Sequence, residues 1–164
     1  MYLEEAVRNK NIQEIKNILS NHKVAKSLLN ESLTESEDPE ITILLINHGA
    51  DIHYSSDRAL FRSSLRRNIQ NVKILLEFGA NVNSLDSRAL RIACQYDYIG
   101  IVKLLLSFGA RINFNILSQV VKSNNIPLLK ILLEYRFPNE EIYELRYLTQ
   151  NPDIIFELEL CKNE

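Results

Sequence analysis

The chain has 164 residues, 46% apolar and 24% charged, with a formal net charge of −2. That balance suits one folded domain and excludes disorder and collagen-like sequence, and no apolar run approaches the roughly 18 residues that span a bilayer. The opening Met1-Tyr2-Leu3-Glu4-Glu5 lacks the basic-then-apolar order of a secretory leader, and two cysteines, Cys94 and Cys161, exclude a disulfide framework or a zinc site, so a reducing compartment, the cytoplasm, is the expectation.

In chain order, Tyr2–Arg8 and Asn11–Leu19 predict a first pair of helices. Leu28, Leu29 and Leu33 mark the next helix. The acidic turn Glu35-Ser36-Glu37-Asp38 follows, with Asp38 as cap and Pro39 near the start of a helix from Ile41 to Asn47. Asp57 is the expected cap of a helix opening Arg58-Ala59-Leu60, and Ile69 begins its partner. Asp86-Ser87 is the expected cap of Arg88–Gln95, where Leu90, Ala93 and Cys94 share one face. Tyr96-Asp97-Tyr98 makes a turn into Ile99–Phe108, apolar on nearly all sides and therefore expected to be buried between neighbours.

Gly49, Gly79 and Gly109 end these runs at intervals of 30 residues. Each is expected to hold the left-handed position just past a helix. A fixed period in this range signals stacked repeats, whose stability comes from neighbouring units and whose work is binding. After Asn113 the spacing shortens: Ile126–Leu133 matches Ile99–Leu106 at an offset of 27. Arg136 stands where a capping glycine would be. Glu140–Leu148 and Pro152–Leu160 predict a last pair. The whole chain, 1–164, thus reads as a single all-α domain of about six helical hairpins, over 1–23, 24–53, 54–83, 84–113, 114–137 and 138–160.

Charge is uneven along the chain. Residues 54–113 hold 9 Lys/Arg against 4 Asp/Glu, whereas residues 134–164 hold 3 against 8. Arg58, Arg62, Arg66, Arg88 and Arg91 read either as a basic stripe for an acidic peptide or as surface charge whose stems cover apolar neighbours. The acids at 35–40 read as a solvated turn. His22, His48 and His53 are too scattered for a metal site, and His48 reads as a helix-end packing residue. Cys94 reads as a buried, inert thiol. No nucleophile elbow, phosphate loop, zinc-protease motif or dinucleotide fingerprint occurs, so no enzyme, cofactor or metal is expected, nor a nucleic-acid or membrane partner.

The run Ile101-Val102-Lys103-Leu104-Leu105-Leu106-Ser107-Phe108-Gly109-Ala110-Arg111-Ile112-Asn113 resembles an ankyrin repeat, as do Gly49-Ala50-Asp51-Ile52-His53 and Gly79-Ala80-Asn81-Val82-Asn83. The resemblance is close over residues 41–113. Two features depart from the family. Arg58-Ala59-Leu60-Phe61 and Arg88-Ala89-Leu90-Arg91 replace the Thr-Pro-Leu-His opening, and a period of 30 replaces the usual 33, so the β-hairpin fingers should be clipped. The openings are similar to those of ankyrin proteins of giant DNA viruses of amoebae, which would imply a host-directed protein in host cytoplasm.

The resemblance implies an ankyrin solenoid acting as a non-enzymatic protein-binding scaffold. Its partner, acidic or host-derived, would sit on a concave face formed by finger tips and first-helix ends. Those positions are Tyr54, Ser55, Leu65, Arg66, Leu85, Asp86, Gln95, Tyr96, Phe114, Lys122 and Ser123, with Tyr54, Arg66 and Tyr96 having the amphipathic bulk of interface anchors. Tyr98 reads as structural. The alternatives are a ubiquitin-ligase adaptor, from the faint likeness of residues 138–164 to an F-box, and a self-assembling structural protein.

Overall fold

A computed structural model describes residues 2–135 and 144–160. Every regular element among them is helical, and no strand forms. The expected loss of the finger strands is therefore seen at residues 51–57 and 81–87. The chain divides into two compact units, Met1–Ala89 and Leu90–Glu164.

The first unit contains α1 (Leu3–Arg8), α2 (Ile12–Asn21), α3 (Lys26–Glu35), α4 (Pro39–Asn47), α5 (Tyr54–Leu65) and α6 (Ile69–Glu77), and the division falls within α7 (Ser84–Gln95). First helices pack in a row, α1 on α3 and α3 on α5, and second helices pack in another, α2 on α4 and α4 on α6. The core between the rows is aliphatic: Leu3, Ile15, Ile41, Leu45, Leu60 and Leu75 are fully buried. Burial of such a side chain contributes about 1.5–3 kcal/mol.

Asparagine and aspartate start the second helices. Asn11 Oδ1 accepts from the Glu14 N–H at 3.2 Å and Asn68 Oδ1 from the Asn71 N–H at 3.1 Å. Asp38 Oδ1 accepts from the N–H groups of Glu40 and Ile41, with Pro39 beginning α4 as its sequence predicts. These bonds satisfy donors that a helix start otherwise leaves open. The second helices end on Gly49, Gly79 and Gly109, at φ +91°, +96° and +82°.

Two turns differ from expectation. Asp57 and Asp86-Ser87 do not cap right-handed helices. Ser55, Ser56 and Asp57 lie at φ +53°, +57° and +54°, and Leu85, Asp86 and Ser87 at +48°, +58° and +55°. Each triple is a left-handed turn before the right-handed part of its helix. That conformation costs a non-glycine residue roughly 1–2 kcal/mol. Around Asp57 the cost is offset by hydrogen bonds. The Asn81 N–H donates to its Oδ1 at 2.8 Å, and His53 Nδ1 lies 3.0 Å from the same oxygen. Ser84 Oγ donates to the Ser56 carbonyl at 2.9 Å. In the preceding hairpin the Asp51 N–H donates to Asn30 Oδ1 at 2.7 Å. In each of these two hairpins a polar side chain near the start thus clasps the backbone near the end.

The second unit contains α8 (Ile99–Ser107), α9 (Phe114–Lys122), α10 (Ile126–Leu133), a 3-10 turn (Arg146–Leu148) and α11 (Pro152–Leu160). Helix α9 packs on α10, and α10 on α11. Ile101, Leu105, Ile116, Leu117, Leu128 and Ile154 are fully buried. Asn113 and Asn125 cap α9 and α10, and Asn125 Nδ2 also donates to Asp97 Oδ1. Arg136 and residues 140–143 of the expected helix Glu140–Leu148 lie outside the described residues.

Two substitutions check this account. Gly79→Val should destabilise by about 1 kcal/mol or more. No atom lies within 4 Å of an added Cβ, so the cost is backbone strain and not a clash. Asp57→Ala should cost about 2 kcal/mol, because it removes a buried acceptor and strands its donor. Both are read by urea denaturation.

Candidate functional site

The candidate face is the row of first helices together with the turns before them. In the first unit it is α1, α3 and α5. Tyr54 is half-buried at the start of α5, Ser55 is exposed in the left-handed turn, and Leu65 is 38% exposed at the helix end. Leu85 is 53% exposed with a left-handed backbone, and Asp86 beside it is exposed. Leu85 combines an apolar side chain in water with an unfavourable φ.

Arg66 is placed on this face but is committed within the molecule. Its Nη2 and Arg62 Nη2 both lie 2.8 Å from Glu35 Oε2, and its Nε lies 3.3 Å from Glu37 Oε1. Lys10 Nζ approaches Glu37 Oε2 at 3.7 Å. Asn68 Nδ2 donates to the Glu37 carbonyl at 2.6 Å and Asn71 Nδ2 to the Ser36 carbonyl at 3.1 Å. The acidic turn and the basic stripe, which the sequence presents as two features, are in this unit one network that ties successive hairpins together. Arg88 lies over the Phe61 ring, its Cζ 3.8 Å from the centroid. The alternation of sign between positions 27 to 31 residues apart could have revealed the Glu35 pairs, since that separation is the repeat itself.

Burial raises the Glu35 carboxyl, but the Arg66 hydrogen bond and the charges of Arg62, Arg66 and Arg58 outweigh it and hold the group below its ordinary 4.5. A depressed carboxyl contributes stability above its unfolded value and loses it as pH falls through the folded one. The Glu35 side chain is 41% exposed, so solvent screens much of the effect.

Beside this network is a cavity of about 250 Å³ lined by α1, α3 and α5. Val7, Ser32 and Thr34 are its buried residues. Glu4, Arg8, Glu31, Glu35, Tyr54 and Arg58 complete its walls. Thr34 Oγ1 donates to the Asn30 carbonyl, whereas Ser32 Oγ is buried without a partner among the described residues. Sequence reasoning missed this cavity, because α1 carries no recognisable repeat motif.

In the second unit Gln95 and Tyr96 are exposed at the end of α7, and Tyr96 stacks on Tyr98 with ring centroids 5.7 Å apart. Phe114 is half-buried at the start of α9, and Lys122 and Ser123 are exposed at its end. Gln95 and Ser123 line one shallow hollow with Cys94, Asp97, Gln119 and Asn125. Burial, with the Asp97 charge adding, pushes the Cys94 thiol up to about 12. It is therefore unreactive at neutral pH. Cys161 and Pro138–Ile142, on which the F-box likeness rests, lie outside the described residues.

His48 does not pack. It is exposed at the end of α4, with Nδ1 2.8 Å from the Leu44 carbonyl, and the corresponding Phe78 and Phe108 are 43% and 41% exposed. No group of three metal-binding side chains exists among the described residues, and no described helix is long and apolar enough to cross a membrane.

The comparisons with known proteins agree with this architecture. The family model described as ankyrin repeats, in three copies, matches residues 33–116. The crystal structure of an ankyrin repeat domain from Acinetobacter baumannii superimposes with a TM-score of 0.77 at 20% identity, covering 98% of this chain and 97% of that one. The human ASB11 ankyrin repeat domain superimposes with a TM-score of 0.65 at 17% identity, covering 97% of this chain and 82% of that one. At these identities the likeness is one of fold. No curated protein sequence matches the chain.

The Glu35 network makes a pH prediction. Stability should fall as pH drops below about 4.5, and Glu35→Gln should flatten that part of the profile, with stability at neutral pH lowered by the lost pairs. Denaturation midpoints at stepped pH check it.

Proposed function

The chain belongs to the ankyrin-repeat family, and from that premise we propose that it is a non-catalytic scaffold that binds a protein partner on its first-helix face. We read residues 1–164 as one domain for this purpose. The observation that carries the proposal is Leu85. An apolar side chain, 53% exposed on a backbone at φ +48°, has no folding rationale, and glycine would relieve the strain. Leu65 and Tyr96 add exposed bulk on the same kind of position, at 38% and 49%. Helical hairpins hold these groups in place before a partner arrives, so less conformational entropy is lost on binding.

The charge of the partner is set by what the arginines leave over. Arg62 and Arg66 are occupied by Glu35 and Glu37. This supports an apolar and aromatic contact more than an acidic-peptide one. Tyr54, Ser55, Asp86, Gln95, Phe114, Lys122 and Ser123 are the remaining contact positions in this reading. A host protein as partner is supported only by the Asp57-Arg58-Ala59-Leu60 and Ser87-Arg88-Ala89-Leu90 openings. The family is generally an interaction fold without chemistry of its own, which supports the absence of an enzymatic role.

The test is Leu85→Gly beside Tyr96→Ala. Leu85→Gly should raise stability by up to about 1 kcal/mol while weakening capture of a specific partner. Tyr96→Ala should weaken capture with little change in stability. Affinity capture compared by quantitative mass spectrometry, with melting curves, reads both. A partner held equally by both variants would overturn this placement of the site.

A further inference from the structure

The cavity between α1, α3 and α5 belongs wholly to the first unit, and its walls can be ordered by burial. Val7, Ser32 and Thr34 are buried, Glu4 and Tyr54 are half-buried, and Arg8, Glu31, Glu35 and Arg58 form an exposed rim. The rim carries two charges of each sign, all screened by water. Among the less exposed walls the one charged group is Glu4. It makes no ion pair or side-chain hydrogen bond among the described residues.

Ser32 is 1% exposed, and its Oγ has no partner among the described residues. Other buried hydroxyls on these helices bond back one turn. Thr34 Oγ1 donates to the Asn30 carbonyl and Ser64 Oγ to the Leu60 carbonyl, both at 2.9 Å. A buried polar atom left over is an exception that needs a reason, and this one borders the cavity. A group entering past the rim therefore meets a carboxylate, a hydroxyl and a tyrosine ring, with Val7 as an apolar wall. The carboxylate attracts a cation and repels an anion, the hydroxyl oxygen accepts from an N–H, and an aromatic face favours positive charge. The volume, about 250 Å³, is below the roughly 300–1,000 Å³ of drug-sized sites and suits one long side chain.

We propose that the cavity receives a single basic side chain of the protein partner, arginine in preference to lysine. The inference rests on the reading of the first-helix face as the partner surface. A guanidinium can donate to the Glu4 carboxylate and to Ser32 Oγ together while its stem covers Val7, whereas an ammonium is a compact and more strongly hydrated charge. Arg8 and Arg58 at the rim repel further positive charge, so the side chain comes from an isolated basic residue and not from a basic tract.

The experiment titrates the isotope-labelled full chain with N-acetyl-arginine amide and follows its backbone amides by NMR. The lysine, citrulline and glutamate amides run alongside, citrulline having the shape of arginine without its charge. The arginine amide should give saturable shifts at Val7, Ser32 and Thr34 with a Kd of about 1–10 mM, and the lysine amide should bind about threefold more weakly. Glu4→Gln and Ser32→Ala should each weaken arginine binding about fivefold or more. Ser32→Ala should leave the melting temperature unchanged or raised, because the hydroxyl it removes has no partner, and Glu4→Gln should fold normally. No saturable shift by about 50 mM, equal binding of the citrulline amide, or binding of the glutamate amide in its place would overturn the inference. Tighter binding of the lysine amide would overturn the preference for arginine. Partner capture separates this inference from the reading beneath it. Capture weakened by Leu85→Gly or Tyr96→Ala but untouched by Glu4→Gln would overturn the cavity as an anchor site and leave that reading standing. Capture weakened by Glu4→Gln alone would support the cavity and overturn the placement at Leu85 and Tyr96.

Discussion

The constraint on which the first unit depends is the placement of backbone donors between helices that leave no room for strands. With no finger strand to pair with, the Asp51 and Asn81 N–H groups just before the left-handed turns need another acceptor, and a backbone donor left without one away from water costs about 1–3 kcal/mol. Asn30 and Asp57 solve this by accepting from Asp51 and Asn81, each at the far end of its own hairpin. With those clasps in place the hairpin closes on itself, the glycine at its end can turn, and the next first helix is delivered into the row. The shortened period is tolerable because the missing finger bonds are replaced by side chains.

A second layer of polar contacts joins one hairpin to the next. Glu35 receives two arginines from the following first helix, while the carbonyls of Ser36 and Glu37 receive Asn71 and Asn68. This has a consequence for recognition. Charges already paired across hairpins are poor anchors for a partner, since binding must break an existing contact to make a new one. Exposed apolar and aromatic groups are present in each unit: Leu65 and Leu85 in the first, Tyr96, Phe156 and Leu160 in the second. That is the reason the proposed recognition rests on exposed hydrophobic side chains more than on guanidinium groups.

Most of the helices were legible because their cause is local. Asp38-Pro39 announces a helix start, and the Ile/Val/Leu runs before Gly49, Gly79 and Gly109 announce buried second helices with defined ends. The turns were not legible. Asp57 has the composition of a helix cap, yet its carboxylate bonds to a residue 24 positions later, which only the folded hairpin brings near. Lys10, Arg67 and Asp97 hold left-handed positions, at φ +53° to +58°, that composition alone would assign to glycine. For the candidate face, the residues could be mapped by register, but not their availability. Nothing local to Arg66 says that Glu35 will neutralise it.

The Glu35 linkage also bears on how the unit comes apart. In a linear array, cooperativity is a matter of how strongly each hairpin is coupled to its neighbour. Between residues 24–53 and 54–83 part of that coupling is ionic, through partly exposed groups, and so is attenuated by salt. The joint between residues 1–23 and 24–53 is ionic in part as well, through Lys10–Glu37 and Lys16–Glu40, whereas the aliphatic contacts at both joints are indifferent to salt. Ionic strength therefore acts as a dial on the joints either side of residues 24–53, shifting the unit from all-or-none unfolding toward stepwise fraying there.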